Sequence, residues 1–186
     1  MTAPELRCSL LLFIDLQEGL IEASRTQPPN AIRRAVKTLL TITAALEIPC
    51  KASVVPAGSA GPPPLITEFD LRKPTVSVHH RRTVSAYGEI EGPIEHLILC
   101  GIACEAAILH TALDARRSGH SVEVLIDACG GLSPRTEDAA IRQMERSGVL
   151  ISSIASFASR LSGDMRTPAD ILVMLTLQRM LASQSD

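Results

Sequence analysis

The stretch Gly101-Ile-Ala-Cys-Glu-Ala-Ala-Ile-Leu-His-Thr111, which continues through Ala-Leu-Asp-Ala115, decides the fold of this chain. An apolar run at residues 96–100 precedes it and predicts a buried strand, and a helical pattern follows from about residue 104 to residue 117. Ligands of open α/β sheets bind at such turns from strand to helix. A nucleophile would be placed here, but position 107 is an alanine.

Apolar runs of strand length alternate with helical patterns along the rest of the chain, and this alternation is typical of a parallel sheet wound with helices. We predict strands at residues 9–14, 50–55, 75–78, 96–100, 122–126 and 149–154. Helices are predicted at residues 30–47, with Asn30 as the cap, and at 104–117, 137–147 and 168–182. Residues 57–64 are rich in Gly and Pro and predict a loop. Too few residues separate Tyr87 from His96 for a crossover helix, which usually needs roughly a dozen, so this connection should be irregular.

Length and charge narrow the class of protein. With 186 residues, 46% of them hydrophobic, residues 1–186 can form one domain that buries roughly 70% of its unfolded surface. A net charge of −2 with interspersed signs gives no basic surface for nucleic acid or for an anionic membrane. No apolar run approaches the roughly 18 to 20 residues that span a bilayer. We therefore expect a cytoplasmic protein whose partner is a small molecule or another copy of itself.

The cysteines and the aromatic residues restrict the chemistry further. Five cysteines, at positions 8, 50, 100, 104 and 129, cannot all pair, and several lie in or beside apolar runs, so we predict free and mostly buried thiols. Aromatic residues make up only 2% of the chain, which disfavours a large planar substrate.

Asp15 directly follows the apolar run Leu10-Leu-Leu-Phe-Ile14 and therefore lies where the first strand ends. A carboxyl group partly shielded by the sheet can have a raised pKa and act as a general acid or base. The alternative is an aspartate that only accepts hydrogen bonds from loop amides.

The basic segment His79-His-Arg-Arg82 follows the third predicted strand and reaches the same edge of the sheet. An arginine there can hold a carboxylate through two parallel hydrogen bonds. A solvated loop is the alternative. His79 and His80 show no metal-ligand spacing with other residues, and we predict neither a metal nor another cofactor.

Four segments together resemble the isochorismatase-like cysteine hydrolases: Phe13-Ile-Asp-Leu-Gln17, Ser85-Ala-Tyr87, residues 101–115 and residues 122–128. The resemblance extends from the Asp15 strand to about Ile154. It implies a three-layer, doubly wound α/β fold with a six-stranded, mainly parallel sheet and helices on both faces. It also implies homodimers or higher homo-oligomers.

The family uses an aspartate, a lysine and a cysteine, and only Asp15 is unchanged here. Arg81 stands four residues before Ser85, where the family has its lysine, and an arginine keeps the charge but cannot act as a base. Ala107 replaces the cysteine and has no nucleophilic atom. By the same resemblance, Ala103, Ala107, Ser85 and Tyr87 would contact the substrate. The Asp-x-His metal signature of nicotinamidases is missing.

Three hypotheses follow from the resemblance. Isochorismatases proper also have a small residue instead of the cysteine and cleave a vinyl ether with the aspartate as acid, so Asp15 would protonate the substrate and Arg81 would bind its carboxylate. A second hypothesis is a catalytically inactive member that acts in binding or oligomeric assembly.

The third hypothesis makes Cys104 a relocated nucleophile. Cys104 stands at the family's threonine position, which a cis peptide usually precedes, at the start of a helix, where the helix dipole favours a thiolate. This hypothesis predicts an unusually acidic thiol, whereas an inert, packed cysteine is the alternative.

Overall fold

The computed structural model describes residues 8–56, 63–69, 76–90, 92–162 and 165–182. The strands are β1 (Ser9–Ile14), β2 (Cys50–Val54), β3 (Val76–His80), β4 (His96–Ile102), β5 (Ser121–Gly130) and β6 (Leu150–Ser152). The α-helices are α1 (Pro29–Ala45), α2 (Leu109–Arg117), α3 (Pro134–Arg146), α4 (Ile154–Leu161) and α5 (Pro168–Ala182). A π-helical turn, Cys104–Ile108, leads into α2, and short 3-10 turns lie at Ile21–Ala23 and Tyr87–Glu89.

The six strands form one sheet in the order β3-β2-β1-β4-β5-β6, and all five neighbouring pairs are parallel. Helices α1, α4 and α5 pack together on one side, and α2 packs with α3 on the other. The predicted three-layer, doubly wound fold is therefore confirmed, with a sheet that is entirely parallel. The strand order reverses between β1 and β4, and a crevice opens beyond the carboxyl ends of strands at such a point.

Gly101 permits the close approach of β4 to β1 at this crevice. It pairs with Ile14 and has a φ of 135°, a backbone conformation that residues with a side chain rarely adopt. A Cβ atom at this position would lie 1.9 Å from the Ile14 carbonyl oxygen. The glycine that begins the deciding stretch of sequence is thus required by packing.

Several element boundaries differ from the prediction. Helix α1 begins at Pro29, so Asn30 lies inside the helix and does not cap it. Helix α3 begins at Pro134, three residues before the predicted start, because the Ser133 side chain accepts a hydrogen bond from the Thr136 amide. Strand β5 continues to Gly130, beyond the predicted end at residue 126.

Helix α4 was not predicted. Only its first residue, Ile154, falls within the strand predicted at 149–154, of which Leu150–Ser152 forms β6. The Ser153 side chain accepts from the Ser156 amide and caps the helix, and Ile154, Phe157 and Ala158 are buried. The apolar run was too short to separate a strand from the start of a helix.

The other predictions have mixed outcomes. Strand β3 runs Val76–His80 and is longer than predicted at its carboxyl end, while Thr75 and most of the predicted loop at 57–64 lie outside the described residues. In the connection to β4, the described residues form a single 3-10 turn, Tyr87–Glu89, and no crossover helix, as predicted from its short length. All five cysteines are free thiols and four are buried, which confirms the predicted thiol state. Among the described residues, no helix has the length and apolarity to cross a membrane.

Candidate functional site

A cleft of about 320 Å³ opens beyond the carboxyl ends of β1, β2, β3 and β4. Its position agrees with the crevice that the strand order creates between β1 and β4. The residues that line it are Asp15, Val55, Pro56, Arg81, Arg82, Thr83, Val84, Ala103, Ala106 and Ala107. Four residues of the predicted site are therefore brought together here: Asp15, Arg81, Ala103 and Ala107.

Asp15 and Arg81 form a buried ion pair on one side of the cleft. Arg81 Nη1 donates to Asp15 Oδ1 over 2.6 Å, and Nη2 donates to Oδ2 over 2.5 Å. Asp15 follows β1 with a φ of 54°, in the left-handed region that aspartate tolerates better than most residues. Each residue is fixed to β2, since the Asp15 amide donates to the Ser53 carbonyl and the Arg81 amide to the Val54 carbonyl.

The remaining donors of Arg81 are also used within the protein. Nη1 donates to Ser53 Oγ over 3.1 Å, Nε to the Thr83 carbonyl over 3.0 Å, and Nη2 to the Val84 carbonyl over 3.3 Å. A guanidinium has five N–H donors, and all of them have partners here. The geometry therefore does not support the predicted role of Arg81 in binding a substrate carboxylate. Arg81 instead holds Asp15 in position.

The protonation of Asp15 depends on two opposing effects. Burial raises the pKa of the Asp15 carboxyl, because the charged form loses its contact with water. The hydrogen bonds and the positive charge of Arg81 oppose this rise, but the pKa remains above its ordinary value. Asp15 is thus a carboxyl group at a cleft whose environment favours the protonated form more than water does.

The opposite side of the cleft is formed by alanines of the turn between β4 and α2. Ala103, Ala106 and Ala107 lie along this turn, and the peptide bond between Ile102 and Ala103 is cis. The π-helical geometry of Cys104–Ile108 is a form often found at functional sites. With alanine at position 107, this side offers methyl groups and no nucleophile.

Cys104 does not reach the cleft. Its side chain is completely buried, and burial together with the negative charges of Glu137 and Glu105 raises the pKa of its thiol to about 12. A relocated nucleophile would need a lowered pKa. The structure therefore argues against the hypothesis of a reactive Cys104 and agrees with the alternative of an inert, packed cysteine.

Ser85 and Tyr87, the other two predicted contacts, also lie outside the cleft. Ser85 Oγ accepts a hydrogen bond from the Tyr87 amide over 3.2 Å. The Tyr87 hydroxyl lies 3.1 Å from His120 Nε2, and His120 Nδ1 lies 2.8 Å from the Ile94 carbonyl oxygen. This carbonyl can only accept, so Nδ1 carries a proton and donates to it. Both residues brace the connection that leads to β4.

Thr111 explains why this connection is placed beside the cleft. Its hydroxyl is completely buried, donates to the Ala107 carbonyl over 2.6 Å and accepts from the Ala86 amide over 2.8 Å. One side chain thereby joins helix α2 to the segment that carries Arg81. In the motif of residues 101–111, Thr111 therefore has a structural role and does not line the cleft.

Six residues that line the cleft were not assigned to the site, although Arg82 belongs to the basic segment predicted at this edge: Val55, Pro56, Arg82, Thr83, Val84 and Ala106. Val55 is held in place by Gln17, whose Oε1 accepts from the Val55 amide over 3.0 Å and whose Nε2 donates to the Pro63 carbonyl over 2.9 Å. Val55 and Pro56 could have been predicted from the sequence, because they directly follow β2 and parallel strands end at the same edge of the sheet.

No group of three or more His, Cys, Asp or Glu side chains suited to a metal ion occurs in the part of the chain that the structure describes. The carboxylate that faces the cleft, Asp15, already has both oxygens paired with Arg81.

Comparison with known proteins gives consistent matches. The profile of the isochorismatase domain matches residues 9–156. Isochorismatase domain-containing protein 2 of Xenopus laevis is 28% identical over 165 residues, which cover 87% of this chain and 80% of the relative. Isochorismatase domain-containing protein 2A of Mus musculus is 28% identical over 164 residues, covering 86% of this chain and 78% of the relative.

Solved structures match over nearly the whole chain. The MAR1 ribonuclease of Caenorhabditis elegans superposes with a TM-score of 0.82 at 20% identity and covers 91% of this chain and 89% of its own. YcaC of Escherichia coli, described as an octameric hydrolase of unknown specificity, has a TM-score of 0.72 at 20% identity. The match covers 95% of this chain and 96% of the YcaC chain. YcaC of Pseudomonas aeruginosa, solved with covalent acrylamide, has a TM-score of 0.70 at 22% identity. The match covers 94% of this chain and 96% of that YcaC chain. At these identities the likeness concerns the fold alone.

Proposed function

This chain belongs to the isochorismatase domain family, and from that premise we propose that it hydrolyses a small molecule without a covalent enzyme intermediate. The observation that carries the proposal is the buried Asp15 carboxyl at a cleft whose opposite side has alanine in place of the nucleophile. Without a nucleophile, general acid–base catalysis is the chemistry left to the side chains that line this cleft.

The proposed reaction is the hydrolysis of an enol ether. Protonated Asp15 gives its proton to the alkene carbon, and an oxocarbenium ion forms. Water adds to this ion and returns a proton to the Asp15 carboxylate. The hemiketal that results collapses to a carbonyl compound and an alcohol, so one water is consumed for each bond cleaved. Arg81 acts as a positioning residue that also stabilises the carboxylate between the two proton transfers.

A matched pair of variants tests the role of Asp15. Wild type, Asp15→Asn and Asp114→Asn are assayed on a panel of small enol ethers, esters and amides. We expect the wild type to hydrolyse an enol ether and Asp15→Asn to be slower by roughly 100-fold or more, because an amide cannot donate the proton in the same way. Asp114 lies on α2 and pairs with Arg117 at the surface, so Asp114→Asn should retain wild-type activity. Equal rates for wild type and Asp15→Asn would contradict the proposal.

A second candidate function is ligand binding without turnover. It is favoured by one observation, namely that both Asp15 oxygens and all the N–H donors of Arg81 already have partners in the protein. In this case a small molecule would raise the melting temperature of wild type and of Asp15→Asn alike, and neither would convert it. A ligand at 100 times its dissociation constant adds about 2.7 kcal/mol to stability, which such a scan detects.

We further propose that the chain assembles with copies of itself through helix α5. Ile171, Leu172, Leu175 and Leu181 are 46%, 43%, 45% and 47% exposed on this helix, an unusual concentration of apolar surface. The octameric state described for YcaC of Escherichia coli supports self-association in this fold.

Light scattering after size-exclusion chromatography tests the assembly. Wild type should elute as an oligomer, and Leu175→Glu should lower the molar mass because a carboxylate in an apolar interface is costly. Leu150→Glu, at a leucine that is 51% exposed on strand β6, is the control and should keep the wild-type mass. A monomeric wild type, or an equal effect of both changes, would count against α5.

A further inference from the structure

The charges in the cleft do not cancel. While Asp15 is ionised it neutralises Arg81, and no N–H donor of Arg81 is left over for a ligand. Arg82, the next residue, also lines the cleft but is exposed. It makes no hydrogen bond or ion pair with the described part of the chain. Within the lining, Arg82 is therefore the cation whose N–H donors are available to a ligand.

The rest of the lining is almost entirely apolar. Val55, Pro56, Val84 and the three alanines of the opposite side supply hydrocarbon surface, and Val84 is 57% exposed. The Thr83 hydroxyl donates a hydrogen bond to the Ser85 carbonyl over 2.7 Å, so its hydrogen is already used within the protein. At about 320 Å³ the cleft is at the small end of the range for ligand pockets.

Resting on the proposed function, we propose that Arg82 binds the carboxylate of the substrate, a small molecule with one negative charge and an apolar body. The side chain has all its N–H donors available, and a guanidinium matches the two oxygens of a carboxylate. A phosphate monoester carries close to two charges at neutral pH, but in this lining Arg82 is the one arginine with N–H donors available to bind it. The sequence assigned this role to Arg81, whereas the free donors belong to its neighbour.

Three probes of similar shape test the assignment: 4-methylpentanoate, the neutral 4-methylpentanamide and 3-methylbutyl phosphate. Their dissociation constants are measured by calorimetry or ligand-observed NMR for wild type, Arg82→Gln and Arg146→Gln. Arg146 is an exposed arginine in the last turn of α3, so its change alters the net charge equally without touching the cleft.

We expect wild type to bind the carboxylate about tenfold more tightly than the amide, or better, since hydrogen bonds to charged groups are the strong ones. Arg82→Gln should lose this preference, whereas Arg146→Gln should keep it. The assignment is overturned if wild type shows no preference, if Arg82→Gln keeps it, or if Arg146→Gln loses it equally. Tighter binding of the phosphate than of the carboxylate would overturn the choice of a carboxylate.

The same proteins separate this inference from the proposed function. A wild type that prefers the carboxylate through Arg82 but hydrolyses no enol ether would contradict the proposed function and leave the assignment of Arg82 standing. Enol ether hydrolysis that is lost in Asp15→Asn but unchanged in Arg82→Gln would support the proposed function and contradict the assignment of Arg82.

Discussion

Two neighbouring arginines have different environments in this protein. Arg81 is buried, with every N–H donor bonded inside the protein, and Arg82 is exposed at the cleft. Both residues follow β3 and line the cleft, so the difference between them lies in their burial and in their hydrogen bonds. Sequence reasoning located both at the correct edge of the sheet, but the family resemblance assigned the contact with a substrate carboxylate to Arg81.

Position 107 can be tested by restoring the nucleophile that the family normally has there. In Ala107→Cys the new thiol lines the cleft, so we expect acrylamide or iodoacetamide to label it well before Cys104 at neutral pH. Cys104 is completely buried with a pKa raised to about 12, and the reactive thiolate is therefore scarce at that position. Peptide mass spectrometry over time gives both rates in one sample. Faster labelling of Cys104 than of position 107 would contradict the placement of position 107 at the cleft and of Cys104 in the core.

At the scale of elements, the ends of the strands were the most informative part of the sequence. Asp15, Arg81 and Ala107 each follow a predicted strand, and parallel strands bring their carboxyl ends to one edge, so these residues meet as expected. Ser85 and Tyr87 were expected in the site because their motif resembles the family's, yet their hydrogen bonds brace the chain outside it. A motif gives the type of residue at a position, whereas its role depends on contacts such as the one from Thr111 to the Ala86 amide.

Three elements meet at a buried carboxylate far from the cleft. Glu123 on β5 is completely buried, accepts from Arg160 of α4 over 2.5 Å and lies 3.2 Å from His96 Nε2 on β4. Burial alone would raise the pKa of Glu123, but its hydrogen bonds and the charge of Arg160 hold it below the ordinary value of 4.5. The free energy of unfolding that this group contributes is thus present above pH 4.5 and is lost as the pH falls through the lower pKa of the folded state, because the unfolded chain binds the proton first.

Replacement of this carboxylate by an amide should reveal that contribution. We expect Glu123→Gln to lower the free energy of unfolding by roughly 1–3 kcal/mol at pH 6, with a difference from wild type that shrinks as the pH is lowered below 4.5. Urea unfolding at pH 6, 4.5 and 3 measures the effect. Glu145→Gln on the exposed side of α3 is the control, and it should follow the wild-type curve at each pH. A difference for Glu123→Gln that is constant across the three pH values would contradict the argument.

For the molecule as a whole, the strand order was established only by the structure. Alternating patterns indicated a parallel sheet, but periodicity carries no information on which strands are neighbours. The missing prediction of α4 has a similar cause, since its apolar residues are too few to show a period of their own. What the whole fold adds is the reversal between β1 and β4, which turns a set of strand ends into a cleft.

The unequal bonding of Arg81 and Arg82 also bears on how this protein can change. A substitution at position 81 would leave the buried Asp15 without its partner and would endanger folding, whereas position 82 contributes no bond to the described fold. Mutation can therefore sample many side chains at position 82 while the scaffold remains intact. A protein engineer who wishes to redirect the cleft toward neutral or cationic compounds has a natural starting position, one residue away from a position that should be left alone.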